Sequence, residues 1–276
     1  MRIGLLLLGA CGFSAHAAPD AAFSLLHDSP ADTSLGGPDA VIVVDAAPLP
    51  EPFILACSSG TLYKIDVDQQ TATVLGPIKA GGTSFSMDAI AGNSNVLYGI
   101  PTSADKLIQI DPTSGMVTLS RTLAPSHNYY GFAYAPAGEV AAEGVWFAGT
   151  DGGGETAGLA QLYTIDPATG TATAVGPFGG GLEVAGDLAW VHGHGLYGTF
   201  YGPTCMSTTC IASINTTTGT ATVLSSSGPI NALSLSGFRG QLWALQNNGD
   251  VWAVNPTTGN ATLAFTTSIA WADAAN

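Results

Sequence analysis

The sequence is short of charge, with only 9% of its 276 residues being Asp, Glu, Lys or Arg, against about 25% in an average globular protein. What charge exists is mostly of one sign. Six Lys and Arg stand against 20 Asp and Glu, a formal net charge of −14 at pH 7. No basic cluster occurs anywhere, and a phosphate backbone needs one, so nucleic-acid binding is excluded. The familiar catalytic spacings are missing as well. There is no P-loop, no H-E-x-x-H and no G-x-S-x-G.

What is present suits an exported all-β protein. Apolar residues make up 46%, enough for a core, and 36 Gly and 16 Pro accompany a surface of Thr, Ser and Asn. Arg2 supplies a positive start and Ile3 to Leu8 a short apolar stretch, too short to span a bilayer. Leu8-Gly9-Ala10-Cys11 then resembles a bacterial lipobox, which implies lipidation of Cys11 and residence in the cell envelope, at the outer membrane or cell surface. The alternative is cleavage after Ala17 in Ala15-His16-Ala17, giving a secreted or periplasmic protein. The expected organisation is a signal segment 1–11, an acidic tether 12–50 and one domain 51–276. The tether holds Asp20, Asp28, Asp32, Asp39 and Asp45 with no Lys or Arg, a composition that favours a solvated spacer.

The domain repeats itself. Leu62–Asp66, Leu107–Asp111, Leu162–Asp166, Ile211–Asn215 and Val251–Asn255 share one pattern, with anchors spaced 45, 55, 49 and 40 residues apart. Blades of a β-propeller run to about 40–50 residues. Each anchor opens a turn, most clearly Asp111-Pro112-Thr113-Ser114-Gly115, Asp166-Pro167-Ala168-Thr169-Gly170 and Asn255-Pro256-Thr257-Thr258-Gly259. Asp or Asn accepts from nearby backbone N–H groups, Pro presets φ, and Gly takes the left-handed position. Two strands precede each anchor. The nearer ends at Ala56, Gly99, Ala148, Gly198 and Ala244; the farther reads Asp88–Ala91, Gly131–Tyr134, Asp187–Trp190 and Ala232–Leu235. The missing fifth copy is expected at Ile269–Ala272, where it would complete the first blade and close the ring. The fold class is therefore an all-β, five-bladed β-propeller of four-stranded blades. The repeats resemble those of uncharacterised exported bacterial β-propeller lipoproteins with L-Y-x-I-D/N-P-x-T-G-x-A-T units, over roughly residues 53–276. That resemblance speaks to architecture and hardly at all to activity.

Propeller geometry sorts the loops onto two faces. One carries the short anchor turns; the other carries longer and more diverse connections, including Gly76–Met87, Arg121–Tyr130, Thr150–Ala160, Gly176–Gly186 and Tyr201–Cys210. Function tends to sit on variable loops held by a rigid scaffold. The candidate ligand-binding residues are accordingly His127, Asn128, Tyr129, Tyr130, Glu183, Asp187, Asp88, Asn231 and Tyr201. Asp88 and Asp187 are expected at matching positions on innermost strands, near the central channel. The plainer reading makes them turn formers, and lets Tyr129 and Tyr130 pack between blades. Asp151 and Glu155 flank a Gly-rich loop that offers oxygen ligands for calcium without the EF-hand spacing; no other cofactor is expected. His192-Gly193-His194 is a weak two-histidine motif in a turn on the opposite face. Cys205 and Cys210 are expected to form a disulfide, and Cys57 to be a buried thiol. The leading function is a binding module for a glycan, peptide or protein. One alternative is a glycoside-active enzyme with Asp88, Asp187 and Glu183 as axial carboxylates, an analogy at the level of fold. Another is a structural spacer in a surface assembly.

Overall fold

The computed structural model describes residues 53–275 apart from 94, 103–104, 153–159, 206–208 and 225–231. The signal segment, the tether and Cys11 lie outside the described residues. Within them every regular element is a strand, and twenty strands form five four-stranded antiparallel sheets. From the axis outward, blade 1 consists of Asp273–Ala275, Ile54–Ser58, Thr61–Asp66 and Thr71–Pro77. Blade 2 is Met87–Gly92, Leu97–Pro101, Lys106–Ile110 and Val117–Thr122. Blade 3 is Tyr129–Ala135, Val145–Thr150, Gln161–Asp166 and Thr171–Pro177. Blade 4 is Glu183–Val191, Gly195–Tyr201, Cys210–Ile214 and Ala221–Val223, and blade 5 is Ser234–Phe238, Gln241–Leu245, Asp250–Val254 and Ala261–Thr266. A two-stranded hairpin, Lys79–Ala80 with Thr83–Ser84, decorates the loop between blades 1 and 2. The protein is a five-bladed β-propeller.

The alternation of the sequence explains the layering. The outermost strands read exposed and half-buried in turn, as at Val117–Thr122, while the inner two strands are buried almost throughout. Five apolar clusters fill the five spaces between neighbouring blades. Between blades 3 and 4, Phe147, Phe178, Leu188, Trp190 and Phe200 meet; between blades 5 and 1, Trp271 packs edge-on against Tyr63 with ring centroids 5.5 Å apart. Each such aromatic or aliphatic side chain contributes about 1.5–3 kcal/mol by leaving water.

The ring closes in blade 1, but with a different segment from the one the repeat implies. Leu55, Ala56 and Cys57 pair with Ala275, Ala274 and Asp273. Ile269–Ala272 precede the strand, and Trp271 is spent on packing between blades instead. The same register corrects two other blades. The small residues Ala56, Gly99, Ala148, Gly198 and Ala244 face Ala274, Ile90, Phe132, Leu188 and Leu235 on the innermost strands. Equivalent positions one residue earlier are therefore Asp273, Ala89, Gly131, Asp187 and Ser234. Asp88 does not match Asp187, because a shift of one residue turns a side chain to the other face of its strand.

Candidate functional site

The five equivalent positions just named are all buried, and two of them are aspartates with 0% exposure. Asp187 Oδ1 accepts from its own neighbour's amide, Leu188 N, at 2.7 Å and from Phe132 N at 3.5 Å; Oδ2 accepts from Leu235 N at 3.0 Å. Asp273 Oδ1 accepts from Ala274 N at 2.9 Å, and Oδ2 accepts from Ile90 N. Every blade thus sends one innermost-strand amide to one of two carboxyl groups. The remaining equivalents must be small: a Cβ on Gly131 would stand 2.8 Å from Leu188 Cγ and 3.1 Å from the Asp187 carbonyl carbon.

The two carboxyl groups also lie within hydrogen-bonding reach of each other. Ionised carboxylates only accept, so this contact requires a proton between them. Burial pushes both carboxyls above the ordinary carboxylate range, and for Asp273 the charge of Asp187 adds to the effect of burial. Nearby Cys57 is a fully buried free thiol, driven up to about 12 chiefly by burial and then by Asp187. Along the axis beyond the pair, the space between the innermost strands is a gap too narrow to hold a water molecule, lined by residues such as Ile90, Ala91, Leu235, Ser236 and Ala275. Phe132, Tyr134 and Trp190 also border this gap and pack between blades, Trp190 stacking on Phe147 at 6.5 Å and Tyr134 lying 4.4 Å from Trp146.

The other candidates divide into two groups on the long-loop face. Asp88, Tyr130, Asp151, Glu183 and Tyr201 gather at one rim supplied by blades 2, 3 and 4. Asp88 Oδ1 accepts from Thr102 Oγ at 2.7 Å. Tyr130 is 38% exposed, and its phenol is raised by burial first and then by the charges of Asp151 and Asp88. Glu183 pairs in register with Tyr201, which is 46% exposed. His127 and Tyr129 instead turn inward to an aromatic packet. The His127 ring lies 5.1 Å from Tyr163, Tyr129 donates to the Pro125 carbonyl at 3.0 Å, and Gln161 Nε2 donates to the Tyr163 hydroxyl at 2.6 Å. Asn128 between them is exposed. Asn231 and Glu155 lie outside the described residues.

Cys205 and Cys210 are joined by a disulfide across the Tyr201–Cys210 loop, with Cα atoms 5.2 Å apart. His192 on the opposite face pairs with Glu139 of blade 3. Among the described residues no three His, Cys, Asp or Glu side chains converge as metal ligands do.

Asp273 was missed by sequence reasoning. It sits three residues before the end of the sequence in a stretch, Trp271-Ala272-Asp273-Ala274-Ala275, without a turn signature or a motif. The signal that finds it is register: aligning the small residues of the second strands places Asp273 and Asp187 in the same position.

No family model matches the chain, and no curated protein does. It is similar to a solved structure from Bacteroides thetaiotaomicron, a structural-genomics protein of unknown function, at 15% identity and a TM-score of 0.44. The match covers 74% of this chain and 55% of the other, so the chain spans about half the length of that neighbour.

Proposed function

We propose that this chain is an exported, lipid-anchored propeller that acts as a binding module for a glycan, peptide or protein at its long-loop face. The reading rests on one observation above the rest. Tyr130 and Tyr201 stand exposed on a rim shared with the carboxyl groups of Asp88, Asp151 and Glu183, at strand ends next to loops that differ from blade to blade. Exposed tyrosines give rigid amphipathic contact, and such residues anchor interfaces. Anchoring and export draw their support from the lipobox-like segment at Cys11 and from the resemblance to exported bacterial propellers.

The glycoside-active alternative needs a carboxylic acid that can reach a glycosidic oxygen. Asp187 has the raised pKa of a general acid, yet it is fully buried and its oxygens are committed to three backbone amides and to Asp273. That leaves Asp88 and Glu183 without the axial partner this alternative assigns them.

The test is retention of partners. Purified domain is screened on a glycan array and against cell-envelope extract, beside a Tyr130→Ala/Tyr201→Ala double variant. Loss of a retained partner at unchanged melting temperature supports the reading; equal retention by both proteins moves the site off this rim. Labelled fatty acid should enter the wild type and not Cys11→Ser.

A further inference from the structure

We propose that the short-turn face carries a second site, a pocket between blades 2 and 3 that takes the cationic head of a small alkylammonium ligand. The pocket is an open cleft of about 570 Å³, within the usual range for small-molecule sites. Its floor is aromatic. Tyr98 meets Trp146 edge-on at 5.0 Å, Tyr134 lies tilted on it at 4.4 Å, and Phe132 stacks on it at 5.5 Å. Tyr98 and Tyr134 are half-buried, so part of each ring is left for a ligand.

The repeat does not ask for this arrangement. The position held by Trp146 in blade 3 is Ile54, Leu97, Leu196 and Leu242 in the other four blades, on the same register. Scaffold demands sameness, because each blade meets its neighbours in the same way. A single blade that departs from its siblings with a large aromatic, beside a cavity, has a local reason to do so.

The rim then selects the ligand. Glu143 is exposed there, and Asp166 is held below the ordinary carboxylate range, first by the Thr169 hydroxyl, so it is charged at neutral pH. No Lys, Arg or His lines the pocket. Aromatic faces attract cations, the two carboxylates add to that attraction, and a chain of net charge −14 concentrates cations around itself. Anions are repelled by the same fields. Asn93 Oδ1 is engaged by Asn95 N and Val96 N, and both Asp166 oxygens are engaged within their own turn, which leaves the rim fewer acceptors to read the hydroxyls of a neutral sugar.

The experiment uses choline chloride as the probe, 3,3-dimethylbutan-1-ol as its neutral isostere and methyl glucoside as a sugar, each titrated by calorimetry and by tryptophan fluorescence. Choline should bind saturably and more weakly as salt rises, and the neutral alcohol about three- to thirtyfold more weakly than choline. Trp146→Leu, which restores the residue type of the other blades, should abolish choline binding. Glu143→Gln, at an exposed position, should weaken it at unchanged melting temperature. Tyr130→Ala/Tyr201→Ala should leave it alone, which separates this site from the opposite rim. The proposal falls if choline fails to saturate, if the neutral alcohol binds as well, if methyl glucoside binds more tightly, or if folded Trp146→Leu and Glu143→Gln both keep wild-type affinity.

Discussion

Two sets of aspartates serve this propeller, and they live in opposite surroundings. Asp66, Asp111 and Asp166 sit in water at the outer turns, where each Oδ1 accepts from the backbone N–H groups that follow it. For Asp111 and Asp166 the hydroxyls of Thr113 and Thr169 and then those backbone bonds draw the carboxyl below its ordinary range. Asp187 and Asp273 also accept from backbone N–H groups, yet burial pushes both of them up. The bonding is alike; hydration decides the sign. A turn aspartate needs only an acceptor oxygen, and water covers its charge. An axial aspartate must satisfy amides from several blades in a place where two charges cannot coexist, so the pair keeps a proton. The turns are local devices repeated five times; the axial pair is a single joint on which all five blades meet.

The largest effect expected is from cutting that joint. Deleting residues 273–276 removes the innermost strand of blade 1, exposes the edge of Ile54–Ser58 and orphans the Ile90 amide. The loss should be on the order of 4–5 kcal/mol or more, with aggregation through the open edge. A truncated domain that stays monomeric with an unchanged denaturation midpoint would show that the ring does not depend on this strand.

Next comes Asp187→Asn. The amide can donate to Asp273, but it offers one acceptor oxygen where Phe132, Leu188 and Leu235 used two. Leaving a buried N–H unmatched costs about 1–3 kcal/mol, measured by urea denaturation at pH 6. The same variant should flatten the response to pH. In the wild type the folded pair holds protons that an unfolded chain releases near pH 3.8, so its contribution is fully present below that value. It is lost as pH rises toward about 7, where Asp187 titrates. The expected slope is a fall of about 1.4 kcal/mol per pH unit for each extra proton held. Wild-type stability that rises between pH 5 and pH 7 would contradict a protonated pair.

How much of this was legible in the sequence follows from the same contrast. The turn aspartates announce themselves because each carries its Pro, Thr and Gly with it, as Asp166-Pro167-Ala168-Thr169-Gly170 does. Local chemistry repeats, so blade number, blade order and the outer faces can be read. The axial pair joins residues 86 positions apart, Asp187 and Asp273, whose neighbours share no motif, and only the pairing register shows them to be equivalent. Asp88 was drawn into the wrong position by a single residue, since an Asp before an apolar strand looks the same in either register. Trp190 and Tyr134 border the axial gap and also pack between blades, while Trp271 packs between blades 5 and 1. The rim on the long-loop face was legible as a location, because loop diversity is visible in sequence. Which side chains turn outward was not, and Tyr129 and Tyr130 part company for that reason, one 3% and the other 38% exposed.

The smallest effect sharpens the contrast most. In blades 4 and 5 the anchor is already an amide: Asn215 Oδ1 accepts from Thr217 N at 2.9 Å and Thr218 N at 3.1 Å, and Asn255 Oδ1 accepts from Thr257 N and Thr258 N, both at 2.9 Å. Asp111 makes the equivalent bonds to Thr113 N at 2.8 Å and Ser114 N at 3.0 Å through one oxygen. An Asx turn uses a single acceptor, and the second position of the side chain faces water. Asp111→Asn therefore preserves what the turn needs and should leave the melting temperature at pH 7 unchanged within the precision of the scan. Its one signature should appear in acid. The lowered carboxyl gives stability that is present above pH 3.8 and lost as pH falls through its folded value, and the amide variant should not share that loss. Asp111→Ala, which removes the acceptor, should lower the melting temperature, but by less than Asp187→Asn does. The same chemical change, one carboxyl oxygen replaced by an NH₂ group, is thus expected to be silent at the turn and costly at the axis. If Asp111→Asn proves as damaging as Asp187→Asn, the charge of the turn aspartate matters beyond its hydrogen bonds, and the division between local turns and axial joint fails.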